Sequence, residues 1–193
     1  MKQKRLNRFG VTQAWRPRRR LPLRQVSPML LSWLFDTASL TQRLRQACRG
    51  RLEVRVVGQT RGRPLRDERM ALGMRRPGDA LIRMVYLVCD GRPWVFARTV
   101  IPLRTLSGAQ RRLKRLGSKP LGEVLFADKS MRRDEMEAAR LAAGQPVFEM
   151  AAQRLEPRPR EIWGRRSVFY LQGKPLLVSE MFLPDLAMCS NEP

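Results

Sequence analysis

Two stretches of this chain are built to one plan, and they constrain its fold more than anything else in it. "DALIRMVYLVCDGRPWVFARTVIPL" holds two runs rich in β-branched and aromatic residues, separated by Asp90-Gly91-Arg92-Pro93. "RRSVFYLQGKPLLVSEMFLP" repeats the arrangement around Gln172-Gly173-Lys174-Pro175. Apolar runs joined by a short turn containing Gly read as β-hairpins, which requires antiparallel neighbours. Each hairpin also carries a charge in mid-strand: Arg83 between "ALI" and "MVYLVC", and Glu180 between "LLVS" and "MFLP".

Helical patterns lie around and between the hairpins. "SPMLLSWLFDTASLTQRLRQACRG" spaces its apolar residues helically, with Asp36 or Ser39 available as a cap and Gly50 as a stop, so two short helices should meet near residues 36 to 39. "SGAQRRLKRLG", "KPLGEVLF" and "RRDEMEAARLAAG" read as further helices. "RLEVRVVGQ" alternates like a strand, and "TRGRPLRDERMALGMRRPGD" is a polar connection. "QPVFEMAAQRLEPRPRE" reads either as an extra strand and helix or as a surface excursion. Grouped hairpins with helices inserted between them predict an α+β fold on an antiparallel sheet.

At 193 residues the chain is expected to form a single domain with a sizeable core. We place a basic, flexible tail at 1–26, the domain at 27–185 with an insertion near 145–161, and a short C-terminal tail at 186–193. There is no histidine. That excludes Ser-His-Asp and Cys-His catalysis, and with three cysteines and no CxxC pair the usual zinc and iron ligand sets fall away. No metal site is expected. The longest apolar stretch, around "MLLSWLF", is far short of the ~20 residues a membrane-spanning helix needs. A net charge of +22 suggests polyanion partners, but residues 1 to 25 hold nine basic residues and no acidic one, and a solvated basic surface explains the excess equally well.

Period-two alternation puts Leu81, Arg83, Val85 and Leu87 on one strand face, and Leu176, Val178, Glu180 and Phe182 on another. An isolated buried charge costs several kcal/mol, roughly, so each must be paired, solvated or facing water. From the pattern alone, Arg83 and Glu180 form a structural ion pair, lie on the wet face of the sheet, or line a pocket for a hydroxy acid. Arg98, expected on one face with Trp94, Phe96 and Val100, is a further ligand candidate or a surface arginine. Leu40 and Leu121 read as core leucines.

The blocks "SWLFDTASLTQRL", "DGRPWVFARTVIPLRTLSG", "LGSKPLGEVLF" and "WGRRSVFYLQGKPLLVSEMFLP" occur in an order that resembles the chorismate lyase family, which starts the ubiquinone pathway in proteobacteria. The resemblance covers about residues 30 to 185. It implies one α+β domain with about six antiparallel strands, helices on one side, and two helix-turn-helix flaps over an internal ligand cavity. By the same resemblance Arg83 binds the product's carboxylate, Glu180 meets its 4-hydroxyl side and takes part in catalysis, Leu121 offers backbone to the ligand, and Leu40 covers the ring. Substrate chorismate and product 4-hydroxybenzoate are the implied partners, with no metal or organic cofactor. We expect a cytoplasmic monomer with no specific nucleic-acid partner, whose basic tail has weak attraction for anionic lipid. The alternatives are a non-enzymatic ligand sensor of the same fold and a basic nucleic-acid-binding protein.

Overall fold

The computed structural model describes residues 14–22, 24 and 26–188; the rest of the expected basic tail, and the C-terminal tail from 189, lie outside the described residues. The chain runs β1 (Arg16–Pro17), α1 (Pro28–Leu34), α2 (Leu40–Ala47), β2 (Leu52–Gly62), α3 (Arg66–Ala71), β3 (Ala80–Cys89) and β4 (Arg92–Pro102). A 3-10 helix at Gly108–Arg115 follows, then α4 (Leu121–Phe126), β5 (Arg132–Arg133), β6 (Glu137–Ala142), α5 (Pro146–Ala152), β7 (Glu161–Leu171), β8 (Lys174–Phe182) and α6 (Pro184–Met188).

Both hairpins form where the turn chemistry puts them. Asp90 and Gly91 have φ of 46° and 80°, and Gln172 and Gly173 have 51° and 75°. Two successive left-handed residues give a turn whose twist matches the strands it joins. β4 then pairs with β8, so the two hairpins lie edge to edge at the centre of one sheet ordered β1-β6-β7-β8-β4-β3-β2, with β5 also pairing to β7 and every pairing antiparallel. Six of these strands are longer than two residues, in line with the expected six.

The helix expected from "RRDEMEAARLAAG" does not form. Its residues make β5 and β6, with Ala138 and Leu141 buried and opposite Arg165 and Ile162 of β7. A sequence of good helix formers is overridden here because β7 would otherwise present a bare row of backbone donors and acceptors. The "SGAQRRLKRLG" segment is helical, but as a 3-10 helix. The ambiguous segment becomes α5, which buries Val147, Phe148, Ala151 and Ala152 and so belongs to the core. From the expected tail, Arg16–Pro17 joins the sheet edge and the Trp15 indole donates to Asp67 at 3.1 Å.

Helices cover both faces of the sheet, not one side as expected, because the second face also carries apolar residues that must be buried. On one face α1 and α2 pack Trp33, Leu34, Leu40 and Leu44 over Val85, Leu87 and Phe182, while Leu113, Leu116 and Leu125 pack over Ile101, Phe169 and Val178. On the other, α5 covers Tyr86, Phe96 and Met181. Cys48, which caps the C-terminus of α2, is joined by a disulfide to Cys89 at the end of β3, so the first helical pair is stapled to the sheet.

Candidate active site

Two helical pairs arch over the sheet face that carries Val85, Ala97 and Val178. The first, α1–α2, is set by its caps: Ser27 Oγ accepts from the Leu30 amide at 3.3 Å, Ser39 Oγ from Gln42 at 3.5 Å, and Asp36 shapes the turn by accepting from the Ala38 amide at 2.9 Å. The second is the 3-10 helix and α4. The pairs meet where Gly122 faces Ser39 and Thr41; a Cβ on Gly122 would lie 3.4 and 3.5 Å from their hydroxyl oxygens. Arg45 and Glu123 bridge the seam at 2.5 Å.

Beneath the seam is a cavity of about 610 Å³ including its open mouth. Its wall is mostly apolar. Arg83, Glu180, Leu40 and Leu121 all line it, so four sequence candidates from four elements are brought to one place.

The charges do not pair as the simplest pattern reading allowed. Glu180 accepts from Arg165 Nε at 2.6 Å, not from Arg83. Arg165, 1% exposed, stands opposite Glu180 on β7 and also donates to the Trp33 and Asp36 carbonyls, both at 2.8 Å. It thereby ties the catalytic candidate to the turn of the first flap. Arg83 is 3% exposed, and its hydrogen bonds are long and to neutral acceptors: the Gln59 side-chain oxygen and the Lys119 carbonyl, both at 3.4 Å. Burial pulls its guanidinium below the ordinary arginine value. Among the described residues it has no ion-pair partner, which leaves a buried cation turned to the cavity.

Arg98 belongs to different chemistry. Ala97 and Thr99 face the cavity, so Arg98 projects from the opposite side of β4 and makes a forked pair with Glu68 at 2.6 and 3.0 Å, the carboxylate only 2% exposed. That is a buried structural ion pair, not a cavity group. The expected company of Arg98 also changes: the β3–β4 register shifts between Leu87 and Val88, Trp94 falls in the bulge, and it packs in the cavity-side cluster with Val95 while Phe96 goes to the other face.

Sequence reasoning missed Arg133 and Arg165. Arg165 sits in an apolar strand as Arg83 does, and the same alternation argument finds it in "WGRRSVFYL". Arg133 gave no such signal because its segment reads as helix. Its Nε donates to Ser167 at 3.0 Å, one terminal nitrogen reaches the Thr37 carbonyl at 3.4 Å, and the guanidinium stands 4.9 Å over the Phe169 ring. Burial, aided by the charge of Arg165 and opposed by Glu180 and Asp36, draws it down to about 10.

An open antiparallel sheet roofed by two helical flaps over a charged internal cavity is a small-ligand domain. Solved structures share its architecture: the C-terminal domain of the histidine utilization repressor of Pseudomonas syringae aligns over 70% of this chain and 93% of its own, with TM-score 0.51 at 12% identity. A Bacillus cereus transcriptional regulator of the GntR family does so over 69% and 92%, with TM-score 0.51 at 10% identity. Sequence comparison is more specific. The chorismate lyase family model matches residues 12–189. The probable chorismate pyruvate-lyase of Azoarcus sp. (strain BH72) is 44% identical over 176 residues, 89% of this chain and 93% of that protein. Its counterpart in Methylococcus capsulatus is 44% identical over 153 residues, 79% of this chain and 93% of the other. The chain belongs to the chorismate lyase family.

Proposed function

We propose that this protein converts chorismate to 4-hydroxybenzoate and pyruvate, the first committed step toward ubiquinone. The observation that carries the reading is a buried arginine without an acidic partner, Arg83, in the same apolar cavity as a carboxylate held by Arg165, Glu180. Family membership names the hydroxy acid that such a pair would hold.

Chorismate and the two products have the same atoms, so the reaction needs no oxidant, reductant or water. The ring carbon bearing the hydroxyl loses its hydrogen, those electrons enter the ring, and the ether bond breaks with its pair going to the enolpyruvate oxygen. Enolpyruvate then takes a proton on carbon to become pyruvate. Aromatisation supplies the driving force. Arg83 anchors the ring carboxylate through charge-assisted hydrogen bonds, the Leu121 backbone and Leu40 close on the ring, and Glu180 faces the hydroxyl end, where it accepts the hydroxyl hydrogen bond and assists proton movement. Arg165 holds Glu180 in place by its hydrogen bond.

The reaction is followed directly by the absorbance of 4-hydroxybenzoate and by enzymatic pyruvate assay. Glu180→Gln should reduce kcat by about 10²- to 10⁴-fold while circular dichroism is unchanged. Binding of 4-hydroxybenzoate with no turnover of chorismate by the wild type would favour the sensor reading, and full activity in folded Glu180→Gln would remove the glutamate from the mechanism. In this reading the protein acts as a cytoplasmic monomer; light scattering tests the state of assembly. The attraction of the basic tail to anionic lipid is tested by vesicle co-sedimentation before and after removal of residues 1–13.

A further inference from the structure

We propose that Arg133 is a second carboxylate anchor, which binds the side-chain acid of the substrate and makes this cavity selective for a dianion over a monoanion. The inference rests on the chorismate reading of the cavity and adds a residue to it that the resemblance did not supply.

Four ionisable side chains line the cavity: Arg83, Arg133, Arg165 and Glu180. Three positive groups less one negative leave a formal +2. Arg165 is spent on Glu180 and on two flap carbonyls, so the excess resides in Arg83 and Arg133, neither of which has an ion-pair partner among the described residues. A monoanionic benzoate would neutralise only one of them, and an uncompensated cation beside the bound ring is costly in a mostly apolar cavity. Two carboxylates match the excess.

The positions suit the connectivity of such a ligand. Arg83 pairs with Thr99, Thr99 with Val178, and Val178 with Ser167, a single register row across β3, β4, β8 and β7. The row spans three strand spacings, roughly 14 Å at the backbone from Arg83 to Ser167, and Arg133 Nε is hydrogen-bonded to Ser167 Oγ, so the two guanidiniums without ion-pair partners flank the cavity from its opposite ends. Both side chains line the cavity between those ends. Glu180 stands in the neighbouring row, and its charge acts on Arg133. In chorismate the ether acid is attached at the carbon beside the one bearing the hydroxyl, so its anchor should stand near Glu180, as Arg133 does. Contact of Arg133 with the Thr37 carbonyl also puts the first flap in reach of the second acid, so the dianion engages sheet and flap together.

Equilibrium binding separates this from turnover. The probes are 4-hydroxybenzoate, a monoanion; 3-(carboxymethoxy)-4-hydroxybenzoate, an unreactive dianion; and the corresponding 3-(carbamoylmethoxy) amide. Wild-type protein should bind the dianion at least tenfold more tightly than its amide. Arg133→Gln should abolish that preference, leave the Kd of 4-hydroxybenzoate within about threefold, and raise KM for chorismate, with Arg133→Lys retaining part of the preference. Equal wild-type affinity for acid and amide overturns the inference without any mutation, as does a parallel loss of all three ligands in Arg133→Gln. If wild type prefers the dianion but does not turn chorismate over, the anchor stands and the proposed reaction falls.

Discussion

Arg83 and Arg98 present one sequence signature, a guanidinium inside an apolar strand, yet they end in opposite environments. Arg98 meets Glu68, whose carboxylate also accepts from the Leu65 amide at 2.8 Å and so closes the start of α3. Arg83 meets only uncharged oxygens. Nothing within either strand distinguishes the two, because the deciding acid is contributed by a helix remote in sequence. The consequence is testable at the single residue. Arg83→Ala should weaken 4-hydroxybenzoate binding by about 10- to 100-fold, the worth of a charge-assisted hydrogen bond of roughly 1.5–3 kcal/mol. Calorimetry provides the Kd, and the melting temperature should hold or rise because a buried cation without an ion partner is removed. An unchanged Kd would take Arg83 out of the ligand's path.

The first flap is the element on which several lines converge. Its turn was legible in "FDTASLTQ": Ser39 caps α2 and Asp36 caps the bend between the helices, as the residue types suggest. Less legible was the degree to which the turn is held electrostatically. Asp36 loses solvation by burial, which raises its pKa, but the Ala38 amide, Arg43 at 2.9 Å and the nearby Arg165 outweigh this and leave it lowered from 3.8. A carboxylate with a depressed folded pKa contributes stability that is complete above the unfolded value and is lost as pH falls through the folded one. Wild type should therefore exceed Asp36→Asn in urea midpoint at pH 7, with the gap closing below pH 3.8. A gap that persists undiminished at lower pH would mean the turn depends on shape and not on charge. The helix expected over 132–144 failed at this scale for a physical reason: intrinsic helix propensity is weak beside the pairing of an otherwise open β7 edge.

Across the molecule, a twisted central sheet supplies a floor whose residues are placed by register, while the flaps supply the roof. The Cys48–Cys89 disulfide ties the roof to the floor across 41 residues. Closing a loop of that length is worth about 4 kcal/mol in the chain-entropy description. Cys89→Ser, or reduction of the wild type, should lower unfolding free energy by up to that amount in denaturant titration; equal midpoints with and without reductant would assign the pair no role in stability.

What the sequence determined alone is local: the two hairpins and their turns, the caps of the first flap, the alternation that set Arg83 and Glu180 beside apolar neighbours, and the chemistries closed off by a chain without histidine. Each follows from residues within a few positions of one another. Tertiary structure decided the partners. It matched Glu180 to Arg165 and Arg98 to Glu68, moved Trp94 to the cavity side through a bulge, and carried Arg133 to the cavity on a strand that reads as helix. An ion pair depends on which strands become neighbours and in what register, and that is settled by the burial of whole sheet faces, not by the charges themselves.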